Sequence, residues 1–276
     1  MLKKISISIG ILFCLISTAY AVQFGSSFIE STQYFDATVC DVDCTYSSVE
    51  TAIETEGAGK SIYVKRGTYT ETGDITLADD QYIYWDDVTI SIDGYSMATA
   101  ADVEGTVFVG KLTMTGSGTA TNRRLITILG SYHDWSRCRV VISPSATGLT
   151  NGTANLKPVI ITGYFSQVNV YFKDLAFESS NSLSLFSVSG NNNIIKFTAD
   201  NITNTEDVVF YGVRLNGGPN YVDAMIDGMS SVAGNRAQCL SVAANDNTLM
   251  GVSKNCDLDN LQAGGLRNNY AALNYN

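Results

Sequence analysis

Four stretches in the second half of the chain recur at a fixed interval of 27 residues, beginning at Val159, Phe186, Val213 and Leu240. Apolar positions keep register through them: Ile161, Val188, Leu215 and Val242, then Val168, Ile195, Val222 and Leu249, then Leu175, Ile202, Met229 and Cys256. Gly163, Gly190 and Gly217 share one corner, with Ala244 in the fourth copy. Asn193, Asn220 and Asn247 recur at a turn just before the second strand of each unit. Such a unit is three short strands with turn residues between them. One copy cannot bury its own apolar side chains. Stacking copies at about 4.8 Å buries them in a continuous column. The expected fold is therefore all-β, a single right-handed parallel β-helix.

The first half agrees. From Lys60 onward short alternating strands are bounded by Gly, Asn, Asp or Ser, as in Ile62/Val64, Ile75/Leu77, Val88/Ile90/Ile92 and Val107/Val109. One helix precedes them. Ser47 and Glu50 stand at capping-box spacing, Val49, Ala52 and Ile53 form an apolar face, and Gly57 and Gly59 end it. The first coil of a solenoid exposes an apolar end and unpaired edges, so this helix is expected to cap it.

Composition supports the same picture. Charged residues are only 16% of the chain, so Ser, Thr, Asn and Gly must supply the polar surface, and these residues favour turns and strands over helices. A net charge of −10, with 17 basic residues scattered along the chain, excludes a nucleic-acid surface. Residues 1–21 have a secretory pattern: Lys3 and Lys4, an apolar run from Ile5 to Ser17, then Ala19-Tyr20-Ala21. No later run is long enough to span a bilayer. Secretion, an extracellular or cell-surface location, or the periplasm follows. The expected organisation is a signal peptide over 1–21, an N-terminal segment over 22–35, a strand and capping helix over 36–59, the β-helix over 60–260, and an irregular end over 261–276. In an oxidising compartment Cys40 and Cys44 are close enough to bridge. Cys239 and Cys256 pair if a coil brings them together, which leaves Cys138 free or buried.

The run Ala52-Ile53, Ile62-Tyr63-Val64, Gly67-Thr68-Tyr69, Glu71, Ile75 and Leu77 resembles the N-terminal entry of pectin-lyase-like right-handed β-helix proteins. That family includes polysaccharide lyases, glycoside hydrolases, surface adhesins and phage tailspikes. The resemblance implies the fold and says little about activity. Its hydrolases use paired Asp motifs with a His flanked by Gly, whereas the single His133 here lies in SYHDWSR.

Two groups of residues are candidates for chemistry. Asp200 and Asp227 occupy equivalent positions in neighbouring copies, with Asp174 one residue out of register and Arg214 in the same half of the chain. Neighbouring carboxylates suit Ca²⁺, or acid and nucleophile roles on a glycosidic bond; the resemblance, whose pectate-lyase-like members join a calcium-binding carboxylate cluster to an Arg base, implies Arg214 for that base. His133, Trp135 and Arg137, with Asp134, form a cluster suited to a sugar ring, which stacks on an aromatic and hydrogen-bonds to charged groups. Tyr63, Tyr69, Tyr82, Tyr84 and Tyr95 crowd the first coils, and those that alternate outward, Tyr84 among them, suit a polysaccharide.

Three functions are consistent with this: an exported protein that binds extracellular or cell-surface polysaccharide, with or without weak cleaving activity; a non-catalytic surface or virion component such as an adhesin or tailspike-like appendage; and a polysaccharide lyase or glycoside hydrolase. The uncapped C-terminal end suits docking against a partner or another copy.

Overall fold

The computed structural model describes residues 35–119, 124–143, 157–177, 183–205, 208–231, 237–256, 261–263 and 268–275. The signal-peptide pattern and residues 22–34 lie outside them. Strands β1 (Ala37–Val39), β2 (Ser61–Val64) and β3 (Gly67–Glu71) surround helix α1 (Val49–Glu56) in sequence and are followed by β4 (Ile75–Leu77). Long and short strands then alternate: β5 (Tyr82–Gly94), β6 (Met97–Thr99), β7 (Val107–Thr119), β8 (Ile126–Ile128), β9 (Asp134–Ile142), β10 (Val159–Ile161), β11 (Gln167–Phe177) and β12 (Leu183–Val188). The pattern continues through β13 (Ile194–Asn204), β14 (Phe210–Leu215), β15 (Tyr221–Ser231), β16 (Ala237–Val242), β17 (Thr248–Cys256), β18 (Leu261–Ala263) and β19 (Asn269–Tyr275).

Long strands stack on long and short on short, all in parallel. The result is an eleven-stranded sheet and an eight-stranded sheet, a parallel β-solenoid. The 27-residue register holds strand by strand: Ile161 pairs Val188, which pairs Leu215 and then Val242, and Val168 continues through Ile195 and Val222 to Leu249. These columns are buried and form one core. Residues 261–263 and 269–275 extend both sheets, so the end expected to be irregular contributes strands.

A single residue bends each of β11, β13, β15 and β17. Asp174, Asn201, Gly228 and Asn255 lie one coil apart, and all have positive φ, between 50° and 72°. Asn and Gly tolerate that left-handed geometry. At the bend two successive residues face outward, as at Asp200 and Asn201, and burial alternation then resumes. In the first coil the same path is broken into β2 and β3, which pair with the two halves of β5. Gly163 and Gly190 are required by close approach, because a Cβ on either would overlap the carbonyl oxygen of the glycine one coil below.

The helix caps this first coil, with Val49, Ala52 and Ile53 buried. Its N-cap is Ser48, not Ser47, and the partner comes from the strand below. Glu71 accepts hydrogen bonds from the Ser48 hydroxyl (2.8 Å), Val49 N–H (2.9 Å) and Glu50 N–H (3.3 Å). A carboxylate suits the positive end of a helix. At the other end Gln81 Nε2 donates to the carbonyls of Ile53 and Gly57.

Candidate functional site

Gln81 begins a column that explains much of the sequence. The residue just before each long strand is Gln81, Thr106, His133, Ser166, Asn193, Asn220, Asn247 or Asn268. Gln81 through Asn247 are buried. Backbone N–H groups donate up the column to the next side chain: Ser166 to Asn193 Oδ1 (2.9 Å), Asn193 to Asn220 Oδ1 (3.0 Å) and Asn247 to Asn268 Oδ1 (2.8 Å). The Asn amides also bond to one another, from Asn193 to Asn220 (3.1 Å) and from Asn220 to Asn247 (3.2 Å).

His133 occupies one rung of this ladder. Its Nε2 donates to Leu129 O (2.7 Å), and its Nδ1 receives Thr106 N–H (3.3 Å), as Asn Oδ1 does elsewhere. Burial pulls its pKa down, so the neutral ring is the structural form. Trp135 points into the core, where its ring stacks on Phe108 at 4.0 Å and its N–H meets Thr106 Oγ1 at 3.1 Å. Neither side chain reaches solvent. The expectation that His133 and Trp135 hold a sugar is corrected: the motif is a corner residue and a core residue.

The carboxylates are also placed differently from expectation. Asp200 and Asp227 pair in register, but the column reads Lys173, Asp200, Asp227, Lys254. Asp227 meets Lys254 Nζ at 2.8 Å and accepts Asn255 Nδ2 at 2.7 Å. These contacts, Lys254 first, lower its pKa, the opposite of what a general acid needs. Asp174 turns to Asn201 (2.8 Å) and Lys173 (3.8 Å). Among the described residues no group of three or more His, Cys, Asp or Glu gathers as a metal site, so the proposed calcium set does not assemble. Arg214 faces outward on the eight-stranded sheet, its guanidinium 5.3 Å from the Tyr211 ring, while Asp200 and Asp227 belong to the other sheet. The three do not form one catalytic group.

Tyr84 and Arg137 share a face. On the outside of the eleven-stranded sheet Tyr63 pairs Tyr84, Tyr84 pairs Val109, and Val109 pairs Arg137. In the neighbouring column Tyr82 pairs Val107, which pairs Asp134. The rings cluster: Tyr63 and Tyr84 at 5.5 Å, with Phe35 5.4 Å from Tyr63 and 6.2 Å from Tyr82. All four are partly exposed, whereas Tyr69 turns inward. Tyr63 donates to Asp86 (3.2 Å), and burial followed by that carboxylate pushes its phenol up to about 12. Arg137 pairs with Asp134 at 3.8 Å, and burial pushes the Tyr82 phenol up. Partly exposed rings on the same face as an Arg and an Asp offer stacking surfaces near hydrogen-bonding groups. Phe35 was not anticipated; it precedes the first strand with no periodicity to mark it.

Both disulfides form. Cys40 joins Cys44, and Cys239 joins Cys256 across a Cα separation of 6.1 Å. Cys138 is a buried free thiol, pushed up to about 12 by burial. Among the described residues no helix is long and apolar enough to cross a membrane.

Comparison with known proteins leaves the chemistry to the structure. No family model matches the chain, and no curated protein does. Among solved structures the chain is similar to the pectin methylesterase from Aspergillus niger, at 14% identity over 90% of this chain and 87% of that one, with a TM-score of 0.44.

Proposed function

We propose that this chain is an exported β-helix protein that binds extracellular or cell-surface polysaccharide on the outer face of its long sheet. The observation that carries the reading is the cluster of Tyr63, Tyr82 and Tyr84, held in strand register with Phe35 packed against them, on the face that also carries Asp134 and Arg137. A solenoid fixes such rings rigidly, so little entropy is lost when a sugar stacks on them. The secretory pattern and two disulfides support export to an oxidising compartment. Compensation of Asp227 by Lys254 favours binding over cleavage. A non-catalytic surface or virion component, such as an adhesin or tailspike-like appendage, is the competing reading, and it predicts neither retention on polysaccharide nor cleavage of it.

The test is incubation with polygalacturonate, alginate, xylan and hydroxyethylcellulose, with calcium and with chelator, following retention and the release of reducing or unsaturated ends. Retention without release is expected. Release would assign a lyase or hydrolase instead. Neither retention nor release would remove polysaccharide as the ligand.

A further inference from the structure

A second aromatic group lies on the corner before the long sheet, and packing does not explain it. Two residues ahead of the long strands the backbone turns left-handed at Asp80, Gly105, Tyr132, Phe165, Asn192 and Asp246, with φ between 52° and 72°. Gly, Asn and Asp suit that geometry, whereas a bulky ring there is an outlier that costs strain. Two consecutive coils nevertheless use aromatics, and burial does not compensate: Tyr132 is 57% and Phe165 50% exposed. Their rings lie 5.3 Å apart and within 6° of parallel, with Tyr164 exposed beside them. Strain kept in order to display two ordered rings to solvent is the signature of a contact surface.

The corner is continuous with the face described above. Tyr132 lies two residues before Asp134, which pairs through Val107 with Tyr82. At about 4.8 Å per strand, β5 and β9 are about 10 Å apart and β2 and β11 about 19 Å. The Asp134–Arg137 pair lies on β9, the strand that Tyr132 leads into, two strands along the sheet from Tyr82 and Tyr84.

We propose that Tyr132 and Phe165 form a second stacking subsite for the same polysaccharide. The polymer runs along the solenoid axis from the Tyr63–Tyr84 rings, across Asp134 and Arg137, to the corner. This rests on the reading under Proposed function. The Asp134–Arg137 ion pair on the strand next to Tyr132 favours a hydroxyl-rich polymer over an apolar protein face as occupant.

The experiment uses full-length protein and the variant Tyr132→Asn/Phe165→Asn, which installs the residue that the same corner already holds at Asn192. Affinity electrophoresis through the four polymers named above is combined with titration of their disaccharides. The variant is expected to bind polymer about tenfold more weakly. Disaccharide binding should be unchanged, and the unfolding midpoint should be equal or higher. Unchanged polymer binding overturns the subsite, and so does an equal loss for polymer and disaccharide. A wild-type dimer that the variant converts to monomer, with polymer binding unchanged, assigns the corner to a second copy of the chain instead. Wild-type protein that binds none of the four polymers fails the polysaccharide reading itself.

Discussion

Thr106 Oγ1 lies 2.8 Å from Nδ1 of His133 in a corner closed to solvent, and this contact gives the chain's single histidine its role. Nε2 is committed to the Leu129 carbonyl, so Nδ1 must accept. Protonation would set its N–H against that of Thr106. Because burial depresses the folded pKa, the unfolded chain binds more protons between that value and about 6.5. Stability should therefore fall as pH drops below about 6.5, at up to about 1.4 kcal/mol per pH unit. His133→Asn, which fits the ladder, should flatten this dependence. Urea midpoints from pH 5 to 8 for both proteins check it.

Glu71 joins the cap to the first coil. Glu71→Ala leaves the Ser48 hydroxyl and two helix N–H groups without their acceptor and should cost about 3 kcal/mol. Glu71→Gln should cost less, because one oxygen remains. Chemical denaturation of the two variants measures the difference.

Asn220 bonds in both directions along the ladder and to the carbonyls of Gly190 and Gly217. Asn220→Ala should destabilise the solenoid by about 2–4 kcal/mol. Hydrogen exchange should then rise in β13 and β15 before β5 and β7, because each coil contacts only its neighbours.

The charged column predicts a small effect. Asp200→Asn/Asp227→Asn removes an exposed ion pair and should change stability by no more than about 1 kcal/mol, leaving polysaccharide retention intact. Trp135→Ala, by contrast, empties a core site and should cost about 3–5 kcal/mol. Thermal melts of both variants discriminate surface from core.

The repeat was legible because inward side chains and corner residues answer to local constraints that recur with every coil. Ile195, Asn220 and Gly190 each stand where their spacing places them. Cys40–Cys44 was legible from proximity alone. What a side chain does at an irregular coil was not legible. His133 and Trp135 lie in the first half, where coil lengths vary, so the register that would have marked one as corner and the other as core is obscured. The Asp200–Asp227 alignment was correct in register, but the lysines on either side, Lys173 and Lys254, come from adjacent coils and change its meaning. Phe165 carried a signal that spacing could have exposed: it stands 27 residues before Asn192, an aromatic in a turn column.

The most direct measurement of polysaccharide binding at the Tyr63–Tyr84 face is affinity electrophoresis of the wild-type protein beside Tyr63→Ala/Tyr84→Ala, through gels containing polygalacturonate, alginate, xylan or hydroxyethylcellulose. Wild-type protein should be retarded by at least one polymer. The variant, with its fold intact by circular dichroism, should migrate about as in a polymer-free gel. Equal retardation of the two proteins, or none for either, would contradict the assignment of this face.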